Sequence, residues 1–362
     1  MRLKTERATR KALVVGGGIA GSAASWWLHR TGWDVVLVDD NATPPSGGFV
    51  LDLDSTAQKI LQDMGASDVI GRTSFVSPAT TVRLTKGRRP LQVTFSGDGS
   101  RLAHRARLIE ELQAHVPKGV DMRLGRRLES LQHRAHDVVA HLDDGTAESF
   151  EIVVGADGLH STVRNLVFSS HEASFYRNGL SHVWMTLPRG MDKPEALVIG
   201  RRRAVVFAYP YPSGNLTQIV AALPAPDNAR NDQALVGRVA GALRSMGGEL
   251  AGVGDDVAAA PDALVTRFTQ VRTKHWASRR VVLIGDAAHC IDPMSGLGAH
   301  GALLGAVTLA HELEQHDDIT RAFAAYESTV RSFVESRQQL TTLAVEFVTH
   351  PRQRPRCTDR RR

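Results

Sequence analysis

Short apolar runs, each closed by a glycine or an acid, recur along the chain and set its organisation. Leu13 to Val15 lead into Gly16, VVLVD closes on Asp39, Phe150 to Val154 lead into Gly155, and RRVVLIG (Arg279 to Gly285) leads into Asp286. Runs this short, rich in Val, Leu and Ile, predict buried strands. The segment between the first two runs opens at Gly18 and reads as a helix, so the start is strand–turn–helix–strand. Such units predict a parallel sheet whose ligands bind at the carboxyl ends of its strands.

The middle of the chain carries a different pattern. TTVRLTKGRRPLQVTFSG reads as a hairpin near residues 80 to 96. HVWMTLP and ALVIGRRRAVVFAYPYPSGNLTQIVAALP read as adjacent strands with turns at Gly200–Arg203 and Ser213–Asn215. Together they predict an antiparallel sheet. In RLAHRARLIEELQ, Leu102, Arg105, Ile109 and Leu112 fall at three- and four-residue spacing, which predicts one helical face with a cation in it. That cation needs a partner or must reach water. The run from Asp318 predicts a long capped helix, apolar at Phe323, Tyr326, Val330, Phe333 and Leu340.

Composition narrows the class. Apolar residues make up 42% and charged residues 23% of 362 positions, which is an ordinary globular balance and indicates neither a membrane nor a disordered class. No apolar stretch is long enough to span a bilayer. Two cysteines, Cys290 and Cys357, build no disulfide framework and suit a reducing cytoplasm. The basic start MRLKTERATRK runs into KALVVGGGIAG rather than an apolar leader, so no secretory signal is expected. The formal charge of +6 sits in the ends: residues 350 to 362 carry +5 and residues 1 to 11 carry +4, leaving the body near −3. A nucleic-acid surface is therefore not expected.

The first glycine cluster carries chemistry. Gly16, Gly18 and Gly21 fill the three positions of GxGxxG, with Ile19 and Ala20 between the last two. The first permits a tight turn, the second close approach of a pyrophosphate, the third close helix–strand packing. Free N–H groups at the helix start favour the phosphates, and Asp39 stands where a carboxylate holds ribose hydroxyls. The ligand carries an ADP moiety; NAD and FAD are both open at this point. A second cluster, Gly155, Asp157 and Gly158 with Ser161 and Arg164, reads by itself equally well as an ordinary strand-to-helix loop. The third is GDAAHCIDPMSGLGAHGALLGAV, residues 285 to 307. No P-loop, zinc-type Cys/His spacing or serine-hydrolase elbow is present, since no strand precedes Ser46 of PSGGF.

With all three clusters in this order, the chain resembles the FAD-dependent monooxygenases of the aromatic hydroxylase type over residues 11 to 315. The resemblance implies an α/β fold: a Rossmann-like FAD-binding domain with an inserted antiparallel β-sheet substrate domain and a long C-terminal helix. The limits expected are 1–75, 101–175 and 276–315 for the FAD-binding domain and 76–100 and 176–275 for the sheet. A helix over 316–350 and a basic tail over 351–362 complete the chain. It further implies that Gly16, Gly18, Ile19, Ala20, Gly21, Asp39, Gly48, Arg105, Asp157, Gly158, Gly285, Asp286, Pro293, Gly296, Gly298, Ala299 and His300 serve FAD. Asp286 would hold the ribityl chain, and Arg105 would fill the Arg of R-x-x-L-x-x-x-L. NAD(P)H would reduce the flavin, and dioxygen would form a flavin hydroperoxide that hydroxylates an aromatic, phenolic or enolised small molecule. No metal is expected, and the protein is expected to be cytoplasmic, a monomer or weak homodimer.

Three positions depart from the family pattern. Asp40 follows Asp39 where an Arg is usual, His300 replaces the Asn of GxGxN, and Gly305 replaces an Asp. His300 is the candidate catalytic group. Trp184, Phe207 and Tyr209, with Phe49, His182 and Tyr211, are candidate substrate contacts, though core packing explains each of them equally well. Two other readings stay open: a reductase of the same fold without oxygen insertion, and a flavin-scaffold protein that binds or cyclises its ligand without redox turnover.

Overall fold

The computed structural model describes residues 10–44, 50–77, 80–84, 91–95, 99–169, 172–177, 179–191, 195–199, 204–211, 215–224, 232–260, 263–266, 270–292 and 295–349. Gly48, Phe49, Pro293, the turns at 200–203 and 212–214, and the basic tail lie outside the described residues. The chain divides into two units. One comprises Met1–Ser77, Asp98–Tyr176 and Thr269–Gln338, the other Pro78–Gly97, Arg177–Phe268 and Gln339–Arg362.

The first unit is built on a six-stranded sheet in the order Ala277–Ser278, Val281–Leu283, Ile152–Gly155, Lys11–Val15, Asp34–Asp39 and Asp121–Leu124. All neighbours are parallel except the edge pair Ala277–Ser278 with Val281–Leu283. Leu13, Val35, Leu37, Val153 and Val282 have no exposed surface, as expected of parallel strands covered on both faces. Each such side chain contributes roughly 1.5–3 kcal/mol by leaving water. The register decides the function. Val15 lies opposite Gly155, Gly155 opposite Leu283, and Val15 opposite Val38. Three clusters spread over some 270 residues of chain therefore leave the sheet side by side, at one carboxyl edge.

The helix Ile19–Arg30 follows the glycine turn and packs with Gly298–Gln315, both through small residues. Gly16 has φ +106°, and a Cβ there would lie 2.5 Å from the Ala156 carbonyl oxygen. A Cβ on Gly21 would lie 1.7 Å from the Gly16 carbonyl oxygen, so this contact admits no side chain.

Two sequence expectations need correction. Phe150 does not share a strand with Val154: it pairs with Val138 in a separate three-stranded sheet, and the central strand begins at Ile152. The chain changes sheets at Glu151, whose N–H donates to the Lys11 carbonyl at 2.8 Å. Leu102 is not on the helix of Arg105. It lies in the strand Arg101–His104, paired with Asp52 and Phe75, and the helix Arg105–His115 starts only after His104 caps it.

The second unit holds a seven-stranded sheet in the order Leu264–Thr266, Leu180–Leu187, Leu216–Pro224, Ala204–Tyr211, Glu195–Ile199, Thr80–Leu84 and Leu91–Phe95. It is antiparallel except where Glu195–Ile199 meets Thr80–Leu84 in parallel. That hairpin arrives from an earlier segment, so no tight turn dictates its direction. One face carries Val183, Met185, Ile219, Ala221, Val206 and Ala208 against the helices Asp232–Arg244 and Gly248–Ala259. The C-terminal helix runs Ile319–Thr349, with Asp318 accepting from the N–H of Thr320 at 2.8 Å as its cap. Its residues to Gln338 belong to the first unit and the rest to the second. Among the described residues no helix is long and apolar enough to cross a membrane.

Candidate functional site

A cavity of about 290 Å³ opens at the carboxyl edge of the parallel sheet, wholly within the first unit. Gly16, Gly17 and Gly18 form one wall, and Asp39, Arg105, Gln113, Asp157 and Gly158 stand around them. The Gly17 peptide is held from both sides. Its N–H donates to Asp39 Oδ2 at 2.6 Å, and its carbonyl accepts from Gln113 Nε2 at 2.7 Å. The other Asp39 oxygen accepts from the Asn41 N–H at 2.8 Å. Beyond this clamp the helix Ile19–Arg30 starts with Gly18 at its cap, no side-chain cap and no acid in its first turn. Its first N–H groups and partial positive charge are thus left for an anion. A Cβ on Gly18 would meet nothing within 4 Å: the room beside it is open. The cradle fits the diphosphate of an ADP-containing cofactor.

Asp157 has a more local part than the sequence suggests. Its Oδ1 accepts from Ser161 Oγ at 2.5 Å and its Oδ2 from the Val163 N–H at 3.0 Å. Both oxygens therefore shape the turn into Thr162–Val167, and burial raises its pKa. Arg164 completes that turn, donating to the carbonyls of Ala287 and Leu159 at 2.8 and 2.6 Å. The second and third clusters are thereby tied directly together.

Asp286 opens the short helix Asp286–His289 and, unlike Ala287, Ala288 and His289 behind it, has exposed surface. The protein crowded around its carboxyl raises its pKa, and the charge of Arg105 pulls it back; burial lowers the Arg105 pKa in turn. The cation that the sequence placed in an apolar stripe thus has its acid, supplied by a motif 181 residues later. The neighbouring Cys290 thiol is pushed well above its ordinary value by burial and by Asp286, so it stays protonated and unreactive. His289 packs on Trp276 with ring centroids 4.5 Å apart, and burial holds its pKa down to about 4. Both are core groups.

The helix Gly298–Gln315 begins with Gly298, Ala299 and His300. His300 Nδ1 lies 2.6 Å from Asp54 Oδ2, and its ring stacks on Phe333 at 4.3 Å and 15°. The second Asp54 oxygen accepts from the Ala57 N–H at 2.9 Å, capping the helix Ser55–Asp63. Gly296, one turn earlier, lies beside Asp52, and Gly285 beside Ala20.

Sequence reasoning missed Gln113, Asp54, Arg126 and Arg127. Gln113 follows Arg105 and Ile109 at four-residue steps, so the periodicity that singled out those two continues to it. Arg126 and Arg127 follow the strand Asp121–Leu124 and line the cavity near Asp40, where the family's own Arg is missing. Arg126 donates its N–H to the Asp39 carbonyl at 2.8 Å. No spacing signal in the sequence links these two cations to Asp40.

In the second unit Trp184, Phe207 and Tyr209 share one face of the sheet, opposite the one that the helices cover. Trp184 lies opposite Val220, and Val220 opposite Phe207. Phe207 and Tyr209 stack with centroids 6.0 Å apart and planes 2° apart, and Trp184 Nε1 donates to Thr266 Oγ1 at 3.4 Å. His182 lies on the same face, fully buried, its pKa held to about 4 by burial.

Residues 9–337 match the model of a family described as an FAD binding domain. The chain belongs to this family. It is 28% identical over 346 residues to a flavin-dependent monooxygenase of Legionella longbeachae, covering 91% of this chain and 87% of the other. It is 30% identical over 350 residues to an uncharacterized protein of Mycobacterium tuberculosis, covering 92% and 93%. Among solved structures it is similar to a tetracycline destructase, with TM-score 0.75 and 27% identity over 94% of this chain and 91% of that one. The protein is accordingly an FAD-dependent monooxygenase.

Proposed function

We propose that the protein uses NAD(P)H and dioxygen to hydroxylate an aromatic, phenolic or enolised small molecule. The observation that carries this reading is the side-by-side exit of the three clusters from one sheet edge, with Arg105 and Asp286 charge-coupled across them. FAD, when bound, supplies electron transfer and oxygen activation, so the chain itself needs no protein nucleophile. Its own residues have simpler tasks. Gly16, Gly18, Ile19, Ala20 and Gly21 present backbone N–H groups and close packing to the diphosphate, and Asp39 holds the ribose end. Asp157 and Gly158 shape the loop beside it. Arg105 and Asp286 hold the ribityl region. Gly296, Gly298 and Ala299 let backbone come close to a flat ring, and Gly285 lets the Asp286 turn close on Ala20. The start of the helix Gly298–Gln315 favours negative charge there.

Trp184, Phe207 and Tyr209 supply flat apolar surface for the substrate. Among the described side chains of their sheet face in Leu180–Leu187, Ala204–Tyr211, Leu216–Pro224 and Leu264–Thr266, none is charged. That supports an uncharged planar or polycyclic substrate, as does the likeness to a tetracycline destructase. The test is to supply ¹⁸O₂ with NADPH or NADH across a panel of phenols, enols and polycyclic aromatics. One ¹⁸O atom in the product supports the reading. A product reduced without gaining oxygen, or changed only by cyclisation, overturns it.

A further inference from the structure

Along the carboxyl edge of the parallel sheet the strands follow the order Val281–Leu283, Ile152–Gly155, Lys11–Val15, Asp34–Asp39 and Asp121–Leu124. With Asp286 at the ribityl chain, the turn from Gly16 to Gly18 at the diphosphate and Asp39 at the ribose, FAD lies across the sheet in that same order. One strand stands beyond the ribose, a step of about 4.8 Å further, on the side where the base of the dinucleotide must lie. That strand ends at Leu124, opposite Asp39. The loop leaving it is bonded to the loop leaving Asp39: the Arg126 N–H donates to the Asp39 carbonyl at 2.8 Å, and the Gly125 N–H to the Asn41 carbonyl at 3.2 Å. Gly125 takes φ +72°, which turns the chain there. Arg126 and Leu128 from one loop, and Thr43 and Pro44 from the other, line this part of the cavity.

The Arg126 side chain is held in its turn. Its Nε lies 2.9 Å from Asp144 Oδ2, and its Nη1 donates to the Gly125 carbonyl at 3.3 Å. Asp144 sits in the turn between the strands Val138–Leu142 and Ala147–Phe150, and Asp143 beside it accepts from the Arg127 N–H at 3.2 Å. A guanidinium donates within its own plane, so one anchored by its edge keeps a flat cationic face for an aromatic ring. The neighbouring groups do not offer the same. Asp40 carries a carboxylate that accepts from Asn41 Nδ2 at 2.7 Å, and the Arg127 guanidinium is drawn toward Glu129, 3.8 Å away. We propose that Arg126 stacks on the adenine of FAD, with Asp144 as its positioning residue. This rests on the placement of FAD in the cavity and names what holds its far end.

The test titrates the full-length protein, freed of flavin, with FAD, FMN and ADP. FMN lacks the adenosine half and reports on the rest of the site. Arg126→Ala should lower affinity for FAD and for ADP about 10-fold and leave affinity for FMN unchanged. Arg126→Lys keeps the charge without the flat face, and should lose nearly as much. Asp144→Ala leaves the guanidinium without its anchor and should cost about threefold, again for FAD and ADP only. Both residues are exposed, so the flavin-free variants should melt as the wild-type protein does. Wild-type affinity for FAD and ADP in Arg126→Ala, or equal losses for FAD and FMN, overturns the assignment. Full affinity in Arg126→Lys overturns it as well, because a point charge would then suffice. A wild-type protein that binds neither FAD nor ADP overturns the placement of FAD on which the assignment rests.

Discussion

Gly18 and Gly21 stand three residues apart and respond to an added methyl group in opposite ways. At Gly21 the added carbon would sit 1.7 Å from backbone, so Gly21→Ala is expected to unfold or misfold the first unit. At Gly18 it meets no protein atom, so Gly18→Ala should cost the FAD-free protein about 1 kcal/mol or less. The same methyl fills room that a diphosphate needs, and FAD affinity should fall at least about 10-fold, or about 1.4 kcal/mol. Thermal melts with and without FAD separate the two effects; equal affinity for Gly18→Ala would remove the diphosphate from this cradle. The two buried histidines make a pH prediction. His182 and His289 are each held to about pKa 4 by burial, below the ordinary value of about 6.5. Their neutral forms belong to the fold, so stability is full above about pH 6.5 and falls as pH drops toward 4. The loss is up to about 3 kcal/mol for each ring, because the unfolded chain binds the protons first. Replacing His289 by Gln should flatten part of that acid limb in denaturant titrations. A limb unchanged by the replacement would mean that His289 is not buried in its neutral form.

The helix Arg105–His115 shows what an element contributes beyond its motif residue. Arg105, Ile109 and Gln113 lie along one side of it and all line the cavity, and Gln113 holds the Gly17 peptide. Gln113→Leu removes the shorter of that carbonyl's two hydrogen bonds and leaves Ser22 Oγ at 3.2 Å, at a cost of about 0.5–1.5 kcal/mol. It should weaken FAD binding about 10-fold while leaving the second unit's melting behaviour unchanged. Unchanged FAD affinity would make Gln113 a packing residue only. The sequence made the glycine turn, the Asp39 strand and the Gly285–Asp286 turn legible, because each couples a short apolar run to a residue that a strand end needs. It failed where pairing between distant strands overrides local periodicity. Leu102 has the spacing of the helix, yet strand partners on both sides draw it into a sheet. Phe150 continues the apolar run of Ile152, yet its partner is Val138. Asp54 was hidden for a similar reason: its use depends on His300, 246 residues away.

At the scale of the molecule, each unit has its own core and its own sheet. The first brings its ligand groups together by parallel register, the second presents aromatic rings by strand alternation. A ligand that binds only the folded first unit should raise its stability by about 2.7 kcal/mol at a free concentration 100 times the dissociation constant. FAD should therefore shift melting of this unit. Period two puts Phe207 and Tyr209 on one face, but that Trp184 shares it depends on pairing through Val220, and neither that register nor the parallel joint between Thr80–Leu84 and Glu195–Ile199 was legible. The central claim is that the three clusters hold a flavin that nicotinamide reduces. It is tested most directly by the visible spectrum of the purified protein, supplied with FAD, as NADPH or NADH is added without oxygen and with an aromatic ligand panel present. The expected result is a bound oxidised-flavin band that bleaches with one of the nucleotides. A protein that binds no flavin, or a bound flavin that neither nucleotide reduces with any ligand present, would contradict it.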